Sequence, residues 1–318
     1  FHLLVEGTGK ASITDPRKGL FQTPEQATVK EEERTPKPEG PNSILLQTRQ
    51  LFPQIRYKDL ATGRTKAGAG TGKPTLLLLW HPSCDMCFEE LSMLKEQADK
   101  LNDLGIEILA TTAEPAPDED PDEAARVIAK TGFPFPAGFT PAEVIESMLV
   151  LHRHLFYSPY HLGVPTSFLL DKDGHLAAVY RGKLELADVV AHLKALSIPK
   201  DKLFSEIRRF DGVWLKAPQG PKPSVLIKGY LENQLPLEAE RAFILQLQDE
   251  SISGQKNHII TTIAQSYMLK KDLKNAARLF QEAVKRDDRD AKSRNSLAAI
   301  RMKEGNIPEA KRLWSEAC

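Results

Sequence analysis

The feature that most constrains this chain is an apolar run that stops at a Cys-x-x-Cys motif and continues as a helical pattern. Residues 76–79 are too apolar and too few for a half-exposed element, so they predict a buried strand. Beyond the first cysteine, apolar residues recur at the helical period, at Cys87, Leu91, Leu94, Ala98 and Leu101. The motif is therefore predicted to lie where a buried strand passes into the N-terminus of a helix.

Cys84 and Cys87 have the spacing and the location of a thiol pair that exchanges disulfides. Free N–H groups and the positive end of the helix dipole stabilise a thiolate, which is the species that attacks a disulfide. Cys84 is predicted to be the attacking sulfur. Cys87, one turn further along, is predicted to resolve the mixed disulfide and release the partner. No cofactor is expected beyond a redox-active disulfide between these two residues.

Composition argues against several other classes of protein. The 43 basic and 43 acidic residues cancel, which gives no reason to expect a nucleic acid as the partner. No apolar run is long enough to span a bilayer, so no transmembrane segment is expected. Three cysteines are too few for a disulfide-stapled scaffold, and two of them share one motif. Because His152, His154 and His161 lack a supporting carboxylate pattern, no metal site is expected.

The elements after the motif complete an α/β pattern. Residues 105–112 predict a second buried strand, parallel to the first through a right-handed crossover. Residues 163–182 predict a hairpin with Asp173-Gly174 in its turn. Helical patterns are predicted at residues 123–130, 142–157 and 186–196.

This order of elements resembles the thioredoxin fold over about residues 44–198. The motifs that carry the resemblance are Trp80-x-x-x-Cys84-x-x-Cys87, Val164-Pro165-Thr166 and the Asp171-Lys-Asp-Gly hairpin. Glu90 and the long interval between Thr112 and Pro165 are similar to the TlpA/ResA branch of extracytoplasmic thiol reductases, in which the interval is a central insertion. The resemblance implies a central mixed sheet flanked by helices and a location in the bacterial periplasm or cell envelope.

The same resemblance implies roles for residues around the cysteine pair. Pro165 would be a cis-proline, and Val164 would present its backbone to the substrate chain beside Cys84. Glu90 would be a catalytic carboxylate that handles protons near the pair, although Glu89 is the same residue type one position earlier. The residues implied to bind substrate are Trp80, Asp85, Met86, Val164, Pro165 and Thr166.

Asp85 bears on the direction of the reaction. A carboxylate beside Cys84 opposes the helix dipole and disfavours the thiolate. Since a stabilised thiolate is what makes strongly oxidising members of this fold persist in the reduced form, a destabilised one favours giving up electrons. The pair is therefore predicted to reduce disulfides in a partner protein, and an upstream thiol donor would have to re-reduce it.

The C-terminal part is predicted to be all-α with a 34-residue repeat. The first copy comprises Ile263, Ala264, Tyr267, Asp272, Ala276, Phe280 and Ala283, and the second Leu297, Ala298, Arg301, Asn306, Ala310, Trp314 and Ala317. This pattern resembles tetratricopeptide repeats, which implies docking of a peptide or protein. The second copy stops in its last helix at Cys318, which is interpreted as a structural residue.

The predicted organisation has four parts. Residues 1–43 would be an extension or linker, or the tail of an upstream domain, because they are rich in charge and proline. A thioredoxin-like domain over 44–198 and a linker over 199–223 would precede the helical repeats over 224–318.

Two classes of function remain open at this stage. One is an enzyme, a dithiol oxidoreductase that reduces protein disulfides. The other is a repeat-based interaction protein in which the disulfide only staples a redox-inactive thioredoxin fold. Peroxide chemistry is disfavoured because Leu77 and His81 stand where a peroxiredoxin has Pro and Thr before its cysteine. Structural zinc is disfavoured because there is no second cysteine pair.

Overall fold

The structure is a computed structural model, which describes residues 42–117, 119–156, 162–199, 203, 223–247 and 255–317. Nearly all of the predicted N-terminal extension, most of the predicted linker, His161 and Cys318 lie outside these residues. Residues 41–318 form one compact unit, which holds both a sheet and a set of helical hairpins.

One mixed sheet forms the first part of this unit. Its strands within the described residues are β1 Ser43–Leu51, β2 Arg56–Asp59, β3 Thr65–Ala67, β4 Thr75–Leu79, β5 Glu107–Ala113, β6 Ala137–Thr140, β7 Thr166–Leu170 and β8 His175–Arg181. Their order across the sheet is β1-β8-β7-β4-β5-β6-β2-β3. β4 pairs in parallel with β5 and antiparallel with β7, and β7 and β8 form the predicted hairpin.

Within the part of the chain that the structure describes, five helices accompany the sheet: α1 Asp85–Glu96, α2 Ala98–Asp103, α3 Glu123–Thr131, α4 Ala142–Phe156 and α5 Leu186–Ala195. The single helix expected from Cys87 to Leu101 is broken at Gln97, which ends α1 and precedes α2. The interval interpreted as an insertion contains α3, α4 and β6. Because β6 joins the sheet between β5 and β2, this interval extends the sheet as well as covering it.

The central strand β4 is buried between apolar clusters on both faces of the sheet. All five of its residues are buried, as expected of a strand covered on both faces. Leu76 and Leu78 belong to the apolar cluster that contains Cys87 and Leu91 of α1, whereas Leu77 belongs to the cluster on the opposite face. The strands and α1–α5 therefore form a thioredoxin-like mixed sheet with helices on both sides.

The second part of the unit is helical, with α6 Pro223–Glu232, α7 Pro236–Gln246, α8 Lys256–Leu269, α9 Leu273–Arg286, α10 Ala291–Lys303 and α11 Ile307–Glu316. One residue with positive φ separates the two helices of each hairpin: Gln234 at 55°, Lys271 at 62° and Gly305 at 79°. Asp272 and Asn306, at equivalent positions of the repeat, each cap the following helix. The region is all-helical as predicted, and its assignment to tetratricopeptide repeats stays a prediction.

The helical part packs directly against the thioredoxin-like part. Leu226, Tyr230 and Phe243 share an apolar cluster with Leu77 of β4 and with Met148 and Val150 of α4. A Cβ atom at Gly229 would lie 2.4 Å from Cε1 of His154, so α6 approaches α4 so closely that a larger residue would require the His154 side chain to move. The boundaries of the domains stay a prediction, and one of the two apolar clusters extends across the predicted linker.

Candidate active site

The cysteine pair lies at the start of α1, as the sequence predicts. Cys84 is the N-cap residue, and its Sγ accepts a hydrogen bond from the backbone N–H of Cys87 at 3.2 Å. The two residues form a disulfide with their Cα atoms 5.2 Å apart. Cys87 is 1% exposed, whereas Cys84 is half-buried. A partner can therefore approach Cys84 more readily than Cys87.

The loop before β7 borders the same helix N-terminus. The Val164–Pro165 peptide bond is cis, which confirms that prediction. The N–H of Gly182 donates to the carbonyl of Pro165 at 3.0 Å, and a Cβ at Gly182 would lie 3.8 Å from Cε of Met86. Gly182 thus bridges the proline loop and the first turn of α1.

The residues implied to bind substrate divide into an accessible set and a buried set. Met86 and Val164 are 45% and 40% exposed, and Asp85 is exposed beside them in the first turn of α1. Trp80 and Thr166 are only 2% and 3% exposed, so a protein substrate cannot touch their side chains. Trp80 packs in the apolar cluster beneath the cysteine pair. These two side chains support the site from within, and a role of the two residues in substrate binding stays a prediction.

Thr166 supports the loop through a hydrogen bond. Its Oγ1 donates to the carbonyl of Gly163 at 2.6 Å, which closes the turn around the buried Pro165. An extended residue followed by proline leaves few local hydrogen bonds, so a side chain that supplies one stabilises the turn. The sequence motif Val164-Pro165-Thr166 therefore provides one exposed contact residue and two buried residues.

Glu90 is the buried carboxylate of the site. It lies three residues after Cys87, on the same face of α1, and is 5% exposed. Burial raises the pKa of Glu90 to about 7, and a hydrogen bond from Ser167 opposes the shift. Glu89 is exposed, so the structure separates two glutamates that the sequence presents as equivalent.

Ser167 was not identified from the sequence. Its Oγ donates to Oε1 of Glu90 at 3.1 Å, and the residue is 1% exposed. The signal was present, because Ser167 directly precedes the apolar run 168–170 on a central strand that is buried throughout. A polar residue at such a position requires a partner, but the partner is 77 residues away in sequence.

His81 links the site to the acidic loop after β5. Its carbonyl accepts the N–H of Cys84 at 3.1 Å, and its Nδ1 lies 2.7 Å from Oγ of Ser83. Its Nε2 lies 3.9 Å from a carboxylate oxygen of Glu119. The acidic loop after β5 thus reaches the segment that precedes the cysteine pair.

Among the described residues, one group of side chains elsewhere has the residue types of metal ligands. Asp171, Asp173 and His175, in the β7–β8 hairpin, place one potential ligand atom each within 4.8 Å of the others. Oδ1 of Asp171 already accepts the N–H groups of Asp173 and His175 at 3.0 and 2.9 Å, so the aspartate serves the turn. No helix of the described residues is both long and apolar enough to cross a membrane.

Comparisons with known proteins bear on this site. A sequence model of the AhpC/TSA family matches residues 48–179. The relatives include the thiol-disulfide oxidoreductase ResA of Bacillus thuringiensis (strain Al Hakam) and that of Bacillus anthracis. Each is 27% identical over 153 residues, which is 48% of this chain and 80% of the relative. The matched region is thus similar to the AhpC/TSA family and to thiol-disulfide oxidoreductases.

Some solved structures are also similar to part of this chain. A DsbF homologue from Corynebacterium diphtheriae is 21% identical, with a TM-score of 0.39 over 50% of this chain and 96% of that one. The thioredoxin domain of a thiol-disulfide oxidoreductase from Bacteroides vulgatus is 20% identical, with a TM-score of 0.38 over 46% and 96%. The family match ends at residue 179, before the helical part of the chain.

Proposed function

We propose that this protein is a thiol-disulfide oxidoreductase that reduces disulfides in partner proteins. The observation that carries the proposal is the disulfide at the start of α1, in which Cys84 is accessible, Cys87 is buried and Glu90 lies one turn behind Cys87. The relatedness of the matched domain to thiol-disulfide oxidoreductases supports the general activity. The direction of the reaction and the roles of single residues are part of the proposal.

The reaction begins with the reduced pair. The Cys84 thiolate attacks one sulfur of the partner's disulfide, a Cys84–partner bond forms, and the partner's other sulfur leaves as a thiolate that takes up a proton. The Cys87 thiolate then attacks Sγ of Cys84, the mixed disulfide breaks, and the second partner sulfur leaves. The partner gains two electrons and two protons, and the pair is left as the disulfide seen in the structure.

Glu90 is proposed to accept the proton of Cys87 before the second step. A buried thiol ionises poorly, so resolution needs a nearby base. A pKa of about 7 leaves part of the Glu90 population ionised and part protonated near neutral pH, which suits a group that both accepts and returns a proton.

Asp85 supports the reducing direction. Its carboxylate is exposed in the first turn of α1, next to Cys84, where it opposes the dipole that stabilises the thiolate. The less stable the thiolate, the more readily the dithiol gives up electrons. An upstream thiol donor would return the pair to the reduced state.

The proposed partners and location rest on the exposed residues beside Cys84 and on the resemblance to the TlpA/ResA branch. Met86 and Val164 offer an accessible apolar contact beside Cys84 for an extended segment of a partner. The helical hairpins are proposed to dock a partner protein or peptide, and the TlpA/ResA resemblance favours the bacterial periplasm or cell envelope. In the alternative function, the helices act alone as a scaffold and the disulfide is structural.

Insulin reduction with dithiothreitol tests the enzyme directly, since it needs no knowledge of the natural substrate. The wild-type chain should accelerate the reaction, and Cys84→Ser should abolish the acceleration. Cys87→Ser should trap partners as mixed disulfides, because attack survives and resolution does not. Wild-type protein that gives no acceleration, or mass spectrometry that shows Cys87 alkylated before Cys84, would contradict the proposal.

A further inference from the structure

Ser167 occupies a fixed place in the centre of the sheet. Its Cα is in register with Leu78 of β4 on one side and Tyr180 of β8 on the other. Because both edges of β7 are paired, the backbone of Ser167 cannot shift without breaking the sheet. The hydroxyl group therefore reaches Glu90 from a rigid support.

The Ser167–Glu90 contact joins two elements that the sequence leaves unconnected. Ser167 lies two residues after Pro165, in the segment that borders the substrate side, and Glu90 lies on the helix that carries the cysteines. Each of the two polar groups is buried, so loss of one would leave the other without its observed partner. The hydrogen bond fixes one oxygen of the carboxyl group.

We propose that Ser167 is a positioning residue, which holds the carboxyl group of Glu90 behind Cys87 and sets the pH at which it accepts the proton of that thiol. This inference rests on the proposed function, because it concerns the second step of the exchange. In the proton transfer, the S–H bond of Cys87 breaks and an O–H bond forms on Glu90. No electrons move until the thiolate attacks Cys84.

Among the groups around Glu90, Ser167 is the one that can change the pKa of its carboxyl group. Among the described residues, Cys87 of α1 and Tyr180 of β8 lie in the apolar cluster on this face of the sheet, and the Cα of Tyr180 is in register with that of Ser167. The hydroxyl of Tyr180 is hydrogen-bonded to Nδ1 of His192 at 2.9 Å. On the outer side of α1, Lys130 of α3 lies over the ring of Phe88.

Two influences act on the pKa of Glu90: burial, which raises it, and the Ser167 hydrogen bond, which lowers it. No charged side chain of the described residues is among the causes. A hydrogen bond donated to a carboxylate favours the ionised form. Removal of the hydroxyl should therefore make Glu90 a base only at higher pH.

The test compares Ser167→Ala with Ser167→Thr in the full chain. The rate at which Cys87 resolves a preformed mixed disulfide on Cys84 is measured against pH, and the Glu90 carboxyl group is titrated by infrared difference spectroscopy. Ser167→Ala should raise both midpoints by about one pH unit, which slows resolution about fivefold at pH 7, because the ionised fraction of Glu90 falls from about one half to about one tenth. Ser167→Thr keeps a hydroxyl and should restore both midpoints.

Two controls separate this effect from a general loss of structure. Ser147→Ala removes another buried hydroxyl, which donates to the carbonyl of Glu143 on α4, and should leave both midpoints unchanged. In a Glu90→Gln background, Ser167→Ala should no longer move the pH profile of resolution, because the two residues act as one unit.

The outcomes distinguish this inference from the proposed function. Unchanged midpoints in Ser167→Ala, or midpoints that fall, overturn the inference even if the wild-type chain reduces insulin. A wild-type chain that reduces no disulfide, but in which the infrared midpoint still rises on Ser167→Ala, overturns the proposed function and supports the assignment of Ser167 as the group that sets the ionisation of Glu90.

Discussion

Two buried glutamates, one in each part of the molecule, differ in their partners. Glu238, on α7, is 6% exposed and lies 2.6 Å from Nη1 of Arg241; its Oε1 accepts the backbone N–H of Gln54 at 3.0 Å. Glu90, on α1, has one hydroxyl partner, and no charged side chain of the described residues is among the causes of its pKa shift. Burial of a carboxylate is therefore not enough to indicate chemistry. Burial without a cation is the informative feature.

The difference follows from what each glutamate joins. Arg241 also donates to the carbonyl of Phe52 at 3.0 Å, so Glu238 and Arg241 together attach α7 to the segment between β1 and β2. A paired and fully hydrogen-bonded charge can be buried at little net cost. An unpaired carboxylate is unstable in its charged form, and that instability is what makes it responsive to protons near neutral pH.

The largest expected effect concerns Glu238, the buried glutamate that is paired with an arginine. Glu238→Ala should lower the free energy of unfolding by about 3 kcal/mol, because it leaves Arg241 without its counter-ion and the N–H of Gln54 without its acceptor. Urea unfolding of the full chain measures the change. Glu282→Ala removes the exposed pair with Arg286 and should cost less than about 0.5 kcal/mol. Equal losses in the two variants would show that the buried pair does not attach the helices to the sheet.

The next prediction concerns Glu90, whose substitution should raise the free energy of unfolding instead of lowering it. Its pKa is about 7 in the folded chain and near 4.5 when unfolded, so the unfolded state binds fewer protons between these pH values. The stability of the wild-type chain should therefore fall as pH rises through this window. Glu90→Gln removes the ionisation and should raise the free energy of unfolding at pH 8 by up to about 3 kcal/mol.

The check on this effect is the pH dependence of the difference. Urea unfolding at pH 4 should give similar stabilities for wild type and Glu90→Gln, because the wild-type carboxyl is then neutral in both states. If the difference in free energy of unfolding between wild type and Glu90→Gln were the same at pH 4 and pH 8, Glu90 would not be a buried, unpaired carboxylate. The variant should nonetheless resolve mixed disulfides more slowly than wild type.

A smaller effect is expected at His152, another buried titratable group of the thioredoxin-like part. Neither ring nitrogen of His152 has a hydrogen-bond partner among the residues that the structure describes, and burial, followed by the charge of Arg181, lowers its pKa. As pH falls, the unfolded state takes up the proton first, so the folded state loses stability. His152→Leu should reduce the loss of stability between pH 7 and pH 5, measured by urea unfolding.

The control for His152 is a histidine on the helical part. His258 is exposed on α8, so its replacement by leucine should leave the pH dependence of stability close to that of wild type. If His258→Leu and His152→Leu had the same effect, the absence of partners at His152 would have no energetic consequence.

The smallest effect concerns Asp85, whose carboxylate is exposed and therefore screened. Asp85→His should lower the pKa of Cys84 in the reduced chain and make the pair more oxidising by roughly 20 mV, which corresponds to about 1 kcal/mol. Equilibration with glutathione measures the potential. A shift in the reducing direction would show that Asp85 does not oppose the thiolate, and would remove the argument for a reductant.

Sequence patterns alone were enough to locate the cysteine pair, the β7–β8 hairpin and the helical character of the C-terminal part. Each rests on local physics: the change from an apolar run to helical spacing at Cys84, the Asp-Gly turn, and the repeat of apolar and small residues around Asp272 and Asn306. The cis bond at Pro165 was expected only because the motif resembles a known family.

The tertiary structure decided which of these residues are buried and what they meet. Glu89 and Glu90 are the same in sequence, but only Glu90 faces the sheet, where Ser167 arrives from a strand 77 residues away. Likewise, no local sequence pattern indicates that Glu238 in the helical part will accept a hydrogen bond from the backbone N–H of Gln54 in the thioredoxin-like part. Periodicity specifies the face of an element that is apolar, whereas the partner of a buried polar group depends on long-range packing, which has no local signal.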